Sequence, residues 1–326
     1  MAVKKVIYDT DPGIDDAMAL LFLVAAPDVE LLGITTVLGN HRIDTTTRNA
    51  LFLKDYFNLK APVARGAGSP LVIEERNPPT YVHGENGLGD IALPDVIRSE
   101  PHPLPAHKFI IETVRAHPHE VSIVAVGRMT NLALALREDP EIASLVKEVI
   151  IMGGAFGYRG HSGNVTPVAE ANIVGDPHAA DEIFAAAWPI VVVGLDVTQE
   201  AVMSTAYLER LRDAAGRTGQ FIWDISRFYE NFYLKATGLP GIPVHDSSAV
   251  AYLLDPSLFT TRGGPLRVVT EGIAIGQTIQ MPNTRRFPPG NAWEGRPENT
   301  ICIDGDAERF LALYFDTIVA ATWLNG

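Results

Sequence analysis

The chain reads as an α/β protein: a doubly wound, mainly parallel sheet with helices on both faces, in a single domain covering residues 1–326. Two observations predict this. Short, nearly continuous apolar runs rich in Val and Ile recur along the chain, and stretches with helical spacing separate them. The alternation never lapses into a linker, an internal repeat or a low-complexity segment. A length of 326 residues is ample for a large core.

Taken in order, the strand "KKVIYD" precedes the helix-like "DDAMALLFLVAA", and "VELLGITTV" precedes a helix through "TTTRNALFLKDYF". "FIIETVRAH" reads as helix, "VSIVAVG" as strand, "MTNLALALRED" as helix and "KEVIIMGG" as strand. "DPHAADEIFAAA" then gives a helix and "PIVVVGLDVT" a strand. Two segments interrupt the pattern. Ala67 to Pro105 is rich in Pro and Gly without a clear period, and loops of that length are usually functional or mobile. Ser204 to Leu239 reads as helices carrying many aromatics, expected to pack over one edge of the sheet.

Composition narrows the function. With 39 acidic against 26 basic residues, the formal net charge is -13. That balance argues against nucleic acid as a partner, because phosphate backbones need clustered Lys and Arg. Cys302 stands alone, so neither an intrachain disulfide nor a thiolate metal cage is available. In the apolar run "TICID" it reads as a core residue. The N-terminus enters a strand without a long apolar region before a cleavage site, and "LLFLVAA" is too short to span a bilayer. A cytoplasmic protein with no membrane partner is expected.

Ligands of open parallel sheets bind outside the carboxyl ends of the strands. Four polar clusters fall there: "DTDPGIDDA" after the first strand, "GNHR" after the second, "GRMTN" after "SIVAV", and "GGAFGYRGHSGNVTPVAEAN" after "VIIM". They are expected to converge on one site. The first packs Asp9, Asp11, Asp15 and Asp16 together, and carboxylates so crowded repel unless something positive neutralises them. A helix cap would account for one Asp at a helix start and leaves the others unexplained. A bound cation accounts for all, and oxygen-only ligands suggest Ca²⁺ or Mg²⁺. An Asp-x-Asp pair after a first strand is also how haloacid-dehalogenase-type phosphatases present a nucleophile and an acid. Gly13 stands where those enzymes usually carry Thr or Val, and Asp15-Asp16 would have no task there.

The motifs "DTDPGIDDA", "GITTVLGN", "HGENGLG", "VGRMTNLA", "MGG", "GNVTPVAEANI", "GLDVT" and "VHDSSAVAYLLDP" occur in that order between Val6 and about Pro256. Together they resemble the nucleoside hydrolases of the inosine-uridine-preferring type. The resemblance implies a Ca²⁺-dependent ribonucleoside N-glycosidase that acts on a small nucleoside, as a homodimer or homotetramer. It implies that Asp11 is the general base and a metal ligand, with Asp16, Asp246 and the main-chain carbonyl of Val126 completing the protein's ligands. Asp15 and Asn40 would grip the ribose 2′-hydroxyl side, and Asn164, Glu170 and Asn172 the 5′- and 3′-hydroxyls, with Asp246 also on the 3′-hydroxyl. Met152 would line the sugar site, and Asp9 would support from behind. His245 would protonate the leaving base, His83 would close over the substrate from the long loop, and Tyr233 would stack near the base.

The chemistry suits those assignments. Glycosidic cleavage passes through an oxocarbenium-like sugar, which nearby negative charge stabilises. A hydroxyl-rich sugar needs several fixed acceptors and donors, and Glu170 and Asn172, two apart, would share one face if extended. An imidazole with an ordinary pKa near 6.5 is suited to giving a proton near neutrality. Among the aromatics Trp223, Phe228, Tyr229 and Tyr233, near-helical spacing reads mostly as core packing. Two features depart from the family: the Met152–Asn164 loop is longer, and Ala171 stands where an aromatic often lies. A nucleoside- or ribose-binding protein without turnover is the alternative from another class, although a pure binder needs neither Asp11 nor His245.

Overall fold

The computed structural model describes residues 3–325. Eight strands form the main sheet: β1 (Lys4–Thr10), β2 (Val29–Thr36), β3 (Val63–Arg65), β4 (Val121–Ala125), β5 (Glu148–Met152), β6 (Ile190–Val193), β7 (Phe259–Gly264) and β8 (Asn299–Gly305). Their spatial order is β3-β2-β1-β4-β5-β6-β8-β7. All neighbours run parallel except β7, which pairs antiparallel with β8 at the edge. The mainly parallel, doubly wound sheet expected from the sequence is what forms.

The apolar runs are continuous because both faces of the sheet are covered. Val6, Tyr8, Val124, Ile150, Met152 and Val193 belong to one buried cluster, and Ile7, Ile123, Ala125, Val149, Ile151 and Val192 to the other. This is the period-two alternation of strand side chains with no polar face left over. The first cluster holds the helix Ile14–Ala25, whose residues are buried all round except Val24. The helices His245–Leu254 and Ala307–Ala320 pack on it. The second face carries the helices Ala106–Ala116, Thr130–Glu138 and Pro177–Ala185. Cys302 lies on β8, fully buried, and burial pushes its thiol well up, as suits a core residue.

Chain order reverses between β1 and β4: the chain moves outward through β2 and β3, then returns to pair β4 on the other side of β1. Such a switch point opens a crevice at the carboxyl ends of the two strands. Register sets Asp9 beside Ala125, and the Val126 N–H donates to the Asp9 carbonyl at 2.8 Å. Asp11 and Val126 therefore leave the sheet side by side.

Ser204 to Leu239 forms the helices Thr205–Ala214 and Gly216–Thr237. The longer one packs chiefly on other helical elements, including the helix Ile14–Ala25 and the turns at Thr80–His83 and Thr322–Asn325. It therefore builds a further layer over the helices instead of lying across a sheet edge, because its apolar face meets their side chains. Among the described residues no helix is long and apolar enough to cross a membrane.

Candidate active site

A cavity of about 780 Å³ opens at the switch point. It is lined by Asp15, Asn40, His83, Val126, Met152, Asn164, Glu170, Asn172, Tyr233, His245 and Asp246, which the sequence had scattered over more than two hundred positions. Asp11 and Asp16 are enclosed beneath this wall, each 1% exposed. Among the described residues no Lys or Arg lines the cavity.

The acidic floor is assembled by close approach. Asp16 lies in the first turn of the helix Ile14–Ala25 and accepts the N–H groups of Gly13 (2.9 Å) and Asp11 (3.2 Å), the Thr10 hydroxyl (2.6 Å) and the Asn40 amide (2.7 Å). Its helix-capping role is thus real, and it fixes the carboxylate. Asp11 Oδ2 accepts the Asn40 N–H at 2.7 Å, whereas Oδ1 is buried with no partner among the described residues. A Cβ on Gly39 would stand 1.8 Å from Asp11 Oδ2, and one on Gly127 would stand 2.7 Å from Oδ1. The glycines of "GNHR" and "GRMTN" are what allow Asp11 its place.

Carboxylate oxygens of Asp15, Asp16 and Asp246 lie within 4.8 Å of one another. Asp15 Oδ1 is also buried without a partner, and its Oδ2 accepts the Tyr229 hydroxyl at 3.3 Å. Burial and then mutual repulsion hold Asp11, Asp16 and Asp246 above the usual carboxylate range, and burial lifts Asp15 to about 6. Protons or a cation must settle this charge. Behind the cluster Asp9 is held by Thr35 and Asn131 (2.8 Å), and burial raises it to about 7. It supports the floor without lining the cavity.

Glu170 and Asn172 do not share an extended segment. Glu170 caps the short helix Ala171–Gly175, its carboxylate accepting the N–H groups of Asn172 (2.9 Å), Ile173 (3.1 Å) and Gly154 (3.0 Å). The next backbone hydrogen bonds are better served by a helix start, and both side chains still reach the cavity. The Asn172 amide spans the carbonyls of Val126 (2.7 Å) and Met152 (3.2 Å), tying the ends of β4 and β5. Asn164 accepts the Ala171 N–H at 3.0 Å.

The opposite wall is aromatic. His245 opens the helix His245–Leu254, with Nδ1 2.8 Å from the Thr198 hydroxyl and Nε2 2.8 Å from the Tyr233 hydroxyl. Burial drops it to about 4, so it is neutral near pH 7, and the argument from an ordinary imidazole pKa does not carry over. Tyr233 meets it through its hydroxyl, since the rings are tilted by 46° and do not stack. His83 is buried in the Thr80–His83 turn, stacked on Tyr229 at 5.6 Å, and its Nδ1 accepts the Ile14 N–H. With that nitrogen occupied as an acceptor, its 4.0 Å approach to Asp15 is no ion pair.

Three residues escaped sequence reasoning. Tyr229 is fully enclosed yet contacts Asp15 and lines the cavity, so core packing described only half its role. Its spacing of four from Tyr233 on one helix was the available signal. Thr198 ends the "GLDVT" motif and had been given no task. Arg128, 8% exposed, lies within electrostatic reach of Asp11 with its Nη1 unpartnered.

Residues 6–312 match the family described as inosine-uridine preferring nucleoside hydrolase. The chain belongs to that family. It is 40% identical over 309 residues to uridine nucleosidase 1 of Arabidopsis thaliana, covering 94% of this chain and 91% of that one. Against the inosine-uridine preferring nucleoside hydrolase of Leishmania major the identity is 36%, with 97% of each covered. Among solved structures, a plant nucleoside hydrolase superposes with a TM-score of 0.93 at 37% identity, over 97% of this chain and 99% of that one. A purine-preferring ribonucleoside hydrolase from Gardnerella vaginalis gives 0.88 at 33%, over 98% and 99%.

Proposed function

We propose that the protein hydrolyses the N-glycosidic bond of ribonucleosides to free base and ribose, with Ca²⁺ held by Asp11, Asp16, Asp246 and the Val126 carbonyl. One observation carries this reading: buried carboxylates with unpartnered oxygens converge at the switch point, on the floor of a cavity with no lysine or arginine in its wall among the described residues. An all-oxygen donor set fits Ca²⁺, and since carboxylate oxygens of Asp15, Asp16 and Asp246 lie within 4.8 Å of one another, Asp15 would stand with Asp16 and Asp246 around the ion. Bound there, the ion would supply the missing positive charge and order water and ribose hydroxyls.

The chain's own residues perform the proton chemistry. Asp11 is fixed through Oδ2, and its free Oδ1 takes a proton from the attacking water. The surrounding carboxylates favour positive charge developing on the sugar. Asp15, Asn40, Asn164, Glu170 and Asn172 hold the ribose hydroxyls. On the leaving side, a neutral His245 bridges Thr198 and Tyr233 and orients the tyrosine hydroxyl, which gives its proton to the departing base; the proton that Asp11 takes from water returns through solvent to the tyrosine. We read the enzyme as a cytoplasmic homodimer or homotetramer, which light scattering on purified protein checks for the assembly.

The test is direct. Purified protein is incubated with inosine, adenosine, uridine and cytidine, and free base and reducing sugar are followed with Ca²⁺ and after chelation. Release that stops on chelation and returns with Ca²⁺ is expected. Tight binding of nucleosides with no release would replace this reading by the non-catalytic binder.

A further inference from the structure

Opposite the acidic floor, one polar side chain of the cavity wall has hydrogen-bonding capacity to spare. Gln199 follows Thr198, the residue that holds His245, and its backbone N–H closes the short helix Leu195–Thr198. Its side-chain amide lies 2.8 Å from His161 Nδ1, and His161 Nε2 in turn lies 2.6 Å from Glu200. The Oε1 end of the amide is therefore fixed, and the Nε2 end has no partner among the described residues. Both Gln199 and His161 line the cavity.

The loop that carries His161 is itself firmly held. The N–H groups of Phe156 (2.8 Å) and Tyr158 (2.6 Å) donate to the buried Asp196, and the Leu195 N–H donates to Gly154. Other polar groups on this side are already committed: Thr237 donates to the Tyr233 carbonyl, and Tyr233 is bonded to His245. Val82, Phe232, Leu239 and Pro243 offer apolar faces for a flat ring.

Resting on the proposed ribonucleoside reading, we infer that Gln199, oriented by His161, is a specificity-determining residue that reads the hydrogen-bonding edge of the base. A pre-positioned amide costs little ordering on binding. With Oε1 held by His161, the Nε2 N–H groups are left to donate to an acceptor on the base, and uracil and hypoxanthine present a carbonyl oxygen for that bond. Adenine offers only ring nitrogens as acceptors, so the loss on adenosine should be the smaller one.

The experiment compares wild type, Gln199→Ala and His161→Ala on uridine, inosine, adenosine and p-nitrophenyl riboside, whose leaving group has no lactam edge. Gln199→Ala should lower kcat/KM for uridine and inosine by about tenfold or more, the scale of a lost hydrogen bond to a polar group. It should leave p-nitrophenyl riboside within about twofold, the scatter expected where no bond is lost. His161→Ala should follow in the same direction with a smaller effect. Equal losses on every substrate would make Gln199 a pin for the loop, and no loss on any would remove it from recognition. Calorimetric binding of uridine to the same variants decides the matter independently of turnover. A wild type that releases no base would count against the hydrolase reading alone, while the affinity ratio would still test Gln199.

Discussion

At its floor the cavity is made of groups delivered by the ends of β1 and β4 and by the first turns of three helices, with glycines at Gly39 and Gly127 and backbone N–H groups pressed against the carboxylates. At its outer wall it is made of the helix Gly216–Thr237, the Thr80–His83 turn and the loop bearing His161, with aromatic rings and side-chain hydrogen bonds. The floor has little freedom, because a strand end leaves a residue only one direction and a glycine contact tolerates no added atom. The wall rests on side chains that can change without moving the sheet. On the proposed function, chemistry on the sugar would sit on the rigid part and choice of base on the adaptable part.

The largest effect should come from the floor. Asp11→Asn keeps the shape and removes the proton acceptor, which commonly costs about 10²–10⁴ in rate, and the lost charge adds to it. Single-turnover kinetics, with nucleoside affinity measured alongside, should show turnover falling by about 10⁴ while binding survives. Near-normal turnover would take the base role from Asp11.

Next comes rejection of 2′-deoxyribonucleosides. The unpartnered Asp15 Oδ1 would stay unpaired, and sites built around a hydroxyl can reject its absence by about 10⁴-fold. Comparable kcat/KM for 2′-deoxyuridine and uridine would undo this assignment.

At the outer wall a smaller, substrate-dependent effect is expected. His245→Ala should slow inosine by about 10²-fold, while p-nitrophenyl riboside, which leaves without a proton, should be spared. Tyr233→Phe should share the pattern if the tyrosine hands over the proton. Losses equal on both substrates would make this pair a positioning device and blur the contrast between the two ends.

The last effect is thermodynamic and follows pH. Burial raises Asp15 from 3.8 to about 6. A carboxyl raised in the folded state contributes stability that is complete below its unfolded value and lost as pH climbs through the folded one. In metal-free protein this contribution should fade between roughly pH 4 and 7. Cation binding displaces those protons, so the rise in Tm from a fixed Ca²⁺ concentration should be larger at pH 8 than at pH 5. At about 100 times Kd the gain is about 2.7 kcal/mol. An equal rise at both pH values would separate the metal from the raised carboxyls.

How much of this was legible beforehand depends on the kind of constraint. Val6 to Tyr8, Ile123 and Ile150 announced a sheet covered on both sides, because continuous apolar strands have nowhere else to bury. The crowding of Asp11, Asp15 and Asp16 announced, through local repulsion alone, a buried acidic cluster that could hold a cation. The Gly216–Thr237 helix was legible as a helix, but not its place, since an amphipathic face does not say which apolar surface it will meet. The sequence by itself determined the alternation of elements, the end of the sheet where polar groups gather and the carboxylates that crowd there, all consequences of short-range periodicity and charge. Only the tertiary structure decided that Tyr229 reaches Asp15, that Thr198 and Tyr233 clasp a neutral His245 and that His161 fixes Gln199. Those contacts join residues from 12 to 214 positions apart, and a side chain's direction and burial there depend on packing that no local pattern encodes.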